Sequence, residues 1–293
     1  MVYFARIIVL SLSLFSFTAQ AITVVASIPP LAMLADALLL GVDKSTLLAD
    51  GRQSVHSLSL LPSHRQALAQ ADLILWVSPE LESWLAPSII KLHKHALAVQ
   101  DLPNLQLLST TAAQQHEHQQ SHGGWDFHIW TDPDVMSAYL IAMRDELILI
   151  DPLHAQAYNK NSEQLIAQIN TASQEAKQLL LPVKNIPLLV MHDAWRYYFR
   201  YFGLIQGDRV QITPEQTLGA ASMMTLEKKL RNGELRCVLR EPQFEPKVMD
   251  WLHALVPDLK EALTDPLGNV NDSGGYPAWL VNQAKAIAQC AHP

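Results

Sequence analysis

Cysteine is nearly absent: Cys237 and Cys290 are the only two in a chain of 293 residues. Neither has a second cysteine within ligand spacing, so a thiolate metal site is a poor reading. Basic blocks are missing too, and the formal net charge is −7. That argues against nucleic acid as a partner and suits a protein that meets cations. The signatures of the common enzyme classes are lacking. Gln120 stands where a zinc peptidase beginning at His116-Glu117 needs its second histidine. There is no G-x-S-x-G elbow, no P-loop and no G-x-G-x-x-G.

Long apolar runs are confined to the start, MVYFARIIVLSLSLFSFTAQA. Arg6, the apolar run Ile7 to Phe17 and the small-x-small end Ala19-Gln20-Ala21 read as a signal peptide over residues 1–21, cleaved near Ala21. The run is short for a membrane span, and no cysteine stands by the cleavage point to carry a lipid. The mature chain is therefore expected to be exported and soluble. An even cysteine count in an exported chain favours a disulfide between Cys237 and Cys290, with two buried free thiols as the other reading.

The remaining length suggests two domains. ITVVA (22–26) and LILWV (73–77) read as strands, the second with no alternation, as in a strand covered on both faces. Strand segments alternate with helical ones over 22–133 and again over 182–293, which predicts an α/β fold of two Rossmann-like lobes with parallel sheets. Between them, residues 134–181 read as helical. Asp151-Pro152 is a start signal, and Leu165, Ile169, Ala172, Ala176 and Leu179 form one apolar stripe. The predicted linking helix, 152–181, has no Gly or Pro after its opening Pro152, so it should be rigid.

Histidine carries the functional signal. His116, His118, His122 and His128 fall within 115-QHEHQQSHGGWDFHIW-130. The first three sit in a Gln/Ser/Gly tract, whereas His128 alternates with bulky residues as on a short strand. His56 follows the Asp50-Gly51 turn. His192 ends the strand PLLVM, where open α/β sheets bind their ligands. Three imidazoles and one more ligand suit tetrahedral Zn²⁺, but these spacings, 72 and 64 residues, carry no local motif.

The stretches 25-VASIPPLAMLADAL-38, 50-DGRQSVHSLSLLPS-63, 73-LILWVSPELESWL-85, 127-FHIWTDP-133, 191-MHDAWRYYFRYFGL-204, 239-LREPQF-244 and 264-TDPLG-268 run in family order. With them the chain resembles the periplasmic metal-binding proteins of bacterial ABC importers, the cluster A-I solute-binding family, and in particular its zinc branch. The resemblance implies a metal site in the cleft between the lobes, built from His56, His128 and His192. The fourth ligand is either Asp265 or a water. It also implies a monomer that performs no chemistry on its cargo and delivers Zn²⁺ to a membrane permease. The manganese branch tends to place a carboxylate third, so His192 favours zinc. Some zinc-binding members carry Glu just before the first His, but Val55 stands there. The family's long His- and acid-rich insertion is reduced here to 116-HEHQQSH-122, which reads either as an auxiliary metal-gathering loop or as a solvated linker. Manganese binding on the same fold and a secreted zinc hydrolase are the competing readings.

Overall fold

The computed structural model describes residues 22–92, 94–110 and 124–292. The expected signal peptide and His116, His118 and His122 lie outside these residues. Among the described residues, no helix is long and apolar enough to cross a membrane.

The first lobe is built on β1 (Val24–Ala26), β2 (Thr46–Leu47), β3 (Leu73–Trp76) and β4 (Ala96–Ala98), all parallel, in the order β2-β1-β3-β4. Helices Pro29–Leu38, Pro62–Gln70 and Ala86–Leu92 connect them. β3 is buried along its whole length, as its unbroken apolar run predicts. A small antiparallel pair, β5 (Leu108–Ser109) and β6 (Trp125–Asp126), follows. Helix Pro133–Ile150 comes next, started by the Asp132 carboxylate accepting from Asp134 N and Val135 N at 3.0 and 3.4 Å.

The linking helix is shorter than its sequence suggests. It runs Ala155–Leu180, about 39 Å at 1.5 Å per residue, and a 3₁₀ turn, Pro152–His154, takes up the predicted start. The reason is local. The Asp151 carboxylate accepts from Tyr158 Oη at 2.7 Å and lies 2.6 Å from His154 Nδ1, and makes no well-formed side-chain cap. The buried stripe is Leu165, Ile169, Ala172, Ala176 and Leu180, with Leu180 taking the place expected of Leu179. This face packs along the terminal helix Gly275–Ala291.

The second lobe repeats the first in topology. β7 (Pro187–Val190), β8 (Ile205–Arg209), β11 (Cys237–Arg240) and β12 (Lys260–Leu263) are parallel in the order β12-β11-β7-β8. Taken as first, second, third and fourth strands of their lobes, both sheets run second-first-third-fourth. The antiparallel strands β9 (Gln211–Thr213) and β10 (Gln216–Thr217) form a hairpin beside the sheet. One apolar cluster extends from β1 through the linking helix to β7, β11 and the terminal helix, so the lobes share a core. The expected disulfide is present: Cys237 at the start of β11 is bonded to Cys290 in the terminal helix, 53 residues away. A closed loop of that length contributes about 4 kcal/mol on the chain-entropy account.

The carboxyl ends of the first and third strands form a crevice in each lobe, the usual ligand position of such sheets. In the first lobe a buried side chain fills it. Glu82 Oε2 accepts from Val77 N at 2.7 Å and Ser78 N at 3.0 Å, and Oε1 sits by Ser27 without a well-formed hydrogen bond. Burial pushes this carboxyl up to about 7, against the pull of Ser27 and the two backbone groups. The folded state therefore keeps a proton that the unfolded chain gives up near its ordinary value of 4.5. This term leaves stability intact at low pH and removes it as pH climbs toward 7, by about 3 kcal/mol at 1.4 kcal/mol per unit. Glu82→Gln should abolish that fall. Its urea midpoint should match the wild type's near pH 4 and exceed it near pH 8, and equal pH slopes for the two proteins would contradict the assignment.

Candidate metal centre

His56 stands in the loop between β2 and helix Pro62–Gln70, and both lobes hold that loop. From its own lobe, Trp84 Nε1 donates to Val55 O at 2.8 Å. From the other, Ser57 Oγ donates to Glu215 Oε1 in the β9–β10 turn at 2.6 Å, and Gln243 Nε2 donates to Gly51 O at 2.8 Å. Gly51 has φ +82°, and a Cβ there would meet Gly268 O at 3.2 Å. Glycine is thus needed at this contact between the lobes.

His128 departs from expectation. It follows β6 rather than lying on it, because Asp126 ends the strand: its Oδ1 accepts from His128 N at 3.0 Å and faces His128 Nδ1 at 2.8 Å. Behind Asp126, Arg196 Nη1 lies 3.4 Å from Oδ2. His192 follows β7, as predicted, and Glu241 stands just past the adjacent β11. Glu241 Oε2 lies 3.0 Å from His192 Nδ1, close but poorly aligned for a hydrogen bond, and its Oε1 accepts from Trp195 Nε1 at 3.2 Å. Each carboxylate turns its imidazole so that Nδ1 faces protein and Nε2 is left for a ligand, the arrangement that fixes tautomer and ring orientation at metal sites.

The three rings converge. Their centroids are 5.3 Å (His56–His128), 6.0 Å (His56–His192) and 5.2 Å (His128–His192) apart. One nitrogen from each can be chosen so that all three lie within 4.8 Å of one another, the one such group among the described residues. His128 and His192 are buried, and His128 Nε2 has no hydrogen-bond partner. Burial lowers the proton affinity of His192, but the field and hydrogen bonding of Glu241, with Asp193 and Asp126 behind, more than reverse this, so its net shift is upward.

The cavity between the rings holds about 20 Å³ and is also lined by Val55, Trp130, Pro214, Gln243 and Leu267. About 10–15 Å³ suffices for one water, so there is room for an ion and little more. Asp265 is not part of the converging group. Its Oδ1 accepts from Gln243 Nε2 at 3.0 Å and Leu267 N at 2.9 Å, and burial raises its carboxyl to about 6 despite those bonds. Sequence reading missed Asp126, Glu241, Gln243 and Glu215. Asp126 leaves a local trace, an Asp two residues before a predicted ligand, and Glu241 and Gln243 lie in the quoted stretch 239-LREPQF-244, where nothing marks them as site residues.

Two parallel-sheet lobes with an ion-sized, imidazole-lined cavity between them define a two-lobed solute-binding protein of the metal-ion class. The model of the periplasmic zinc-uptake complex component A family matches residues 24–290, and the chain belongs to that family. The high-affinity zinc uptake system protein ZnuA of Brucella abortus strain 2308 is 30% identical over 308 residues, covering 91% of each chain. Its namesake from Yersinia pestis is 27% identical, covering 94% of this chain and 92% of the relative. Among solved structures, the periplasmic zinc binding protein TroA of Treponema pallidum superposes with a TM-score of 0.81 at 19% identity, over 94% of this chain and 100% of that one. A crystal structure of ZnuA gives 0.77 at 21%, over 93% and 100%.

The contact between Ser57 and Glu215 ties the His56 loop to the opposite lobe. Ser57→Ala or Glu215→Ala should speed release of an ion from the three imidazoles about fivefold, the worth of a hydrogen bond of about 1 kcal/mol. The double variant should be no faster than Glu215→Ala, which also loses the contact with Ser54. Stopped-flow chelator competition measures this, and independent multiplying effects would show that the two residues do not act as a pair.

Proposed function

We propose that this chain captures Zn²⁺ in the periplasm, holds it between His56, His128 and His192, and delivers it to the permease of an ABC importer. The observation that carries the reading is the convergence of three imidazole nitrogens within 4.8 Å, from three loops and both lobes, around a cavity that fits an ion. An all-nitrogen protein set favours Zn²⁺ over Mn²⁺ or Mg²⁺, which take oxygen cages. Three nitrogens with one oxygen complete the tetrahedron that zinc prefers. The relatives' names, each a high-affinity zinc uptake protein, support the same cargo.

The hydrolase reading has less support. The carboxylates beside the imidazoles, Asp126 and Glu241, are committed to His128 and His192, and the cavity has no space for an organic substrate. In this reading the protein works as a carrier and not an enzyme. Cleavage near Ala21 would leave a mature chain beginning just before β1, ready for the periplasm. His116, His118 and His122 would gather ions at lower affinity, as an auxiliary set beside the tight site.

Replacing His56, His128 or His192 with Ala should lower Zn²⁺ affinity by orders of magnitude. Glu241→Gln, which leaves the ligand but loosens its orientation, should cost about 10–100-fold. Joint replacement of His116, His118 and His122 should leave the tight site intact and remove at most a weaker second equivalent. Competition against a zinc chelator at fixed pH reads all of these. Loss of the tight site in the loop variant, with His128→Ala retaining it, would refute the assignment.

A further inference from the structure

Gln243 has a part in the site that three imidazoles do not explain. Its Nε2 donates twice, to Gly51 O at 2.8 Å and to Asp265 Oδ1 at 3.0 Å. Both partners are acceptors, so the amide can stand only one way round, and Oε1 is its remaining polar atom. That oxygen is buried and has no hydrogen-bond partner, while the residue lines the cavity between the three imidazoles. A buried carbonyl oxygen without a donor is unfavourable, and the protein side chains around this cavity give it none. What would satisfy it is a small ligand carrying a proton.

A zinc ion on three imidazoles has a fourth position open, and water takes that place at such sites. Water on a cation is a stronger donor than free water, because the ion draws charge from its O–H bonds. We propose that the fourth ligand is a water molecule that donates to Gln243 Oε1, and that Asp265 orients Gln243 instead of binding the ion. This rests on the zinc reading above. Asp265 is well placed to orient the amide, since its Oδ1 already accepts from Gln243 and from Leu267 N. Its own N–H donates to Gln283 Oε1 at 3.1 Å, which fixes the carboxylate in turn. The choice of an amide matters chemically. Gln243 accepts a hydrogen bond but takes no proton, so the water remains a ligand and is not turned into a nucleophile.

The test uses the whole mature protein loaded with Co²⁺ or Zn²⁺. In water enriched in the magnetic oxygen isotope, the electron paramagnetic resonance lines of the Co²⁺ form should broaden, because the bound water exchanges. Asp265→Asn keeps an acceptor for Gln243, so it should preserve that broadening and hold Zn²⁺ affinity within about tenfold. Gln243→Leu, with its fold checked by circular dichroism, should lower Zn²⁺ affinity about tenfold or more, the loss expected for an acceptor on a charge-assisted bond. Unbroadened lines in the wild type would overturn the proposal. So would an Asp265→Asn protein that loses tight binding while Gln243→Leu keeps it. A wild type that binds neither ion would instead overturn the zinc reading on which the proposal stands.

Discussion

An ion site made of imidazoles requires each ring to present a chosen nitrogen at a chosen point, and an unaided histidine does neither. The structure meets that requirement with carboxylates: Asp126 behind His128 and Glu241 behind His192. Much of the surrounding architecture keeps those carboxylates in place. Tyr197 Oη donates to Asp126 O at 2.6 Å, Trp195 Nε1 donates to Glu241 Oε1, and Trp130 Nε1 reaches across to Pro266 O at 2.8 Å. These aromatic residues are fully buried, so the polar supports stand on packed surfaces and hold their geometry.

The two lobes use one topology to opposite ends. In the second, the crevice at the ends of β7 and β11 carries His192 and Glu241 and faces the ion cavity. In the first, the corresponding crevice at β1 and β3 is filled by Glu82, bonded to the backbone of the strand end. The first lobe therefore brings its histidines to the cavity from elsewhere, His56 from the loop after β2 and His128 from the turn after β6. A single fold repeated twice yields one site because one crevice is plugged and the other is open.

Much of the framework is legible in the letters. β1, β3, β7 and β11 are apolar runs because they are central strands, covered on both faces. β4, β8 and β12 escape recognition, and each is an edge strand with mixed burial; β12 reads Lys-Glu-Ala-Leu with only Ala262 buried. The linking helix is visible as a stripe, but its start is not, since Tyr158 and His154 claim the carboxylate that would have capped it. His128 looks like a strand residue because alternation cannot register that Asp126 bends back to its N–H. The three converging histidines are picked out by family resemblance and not by spacing. Gln243, Glu241 and Glu215 come from distant segments brought together only by folding, so no window of sequence contains them beside their partners.

The proposed ligand set belongs to both lobes, and that has a bearing on how long a molecule survives. A seated ion ties the His56 loop and the β6 turn to the end of β7, adding to the folded state a bond that the unfolded chain lacks. Loaded copies open less often than empty ones, and proteases cut what opens. Turnover would then fall hardest on idle molecules, and the standing population would track the supply of metal without any change in synthesis.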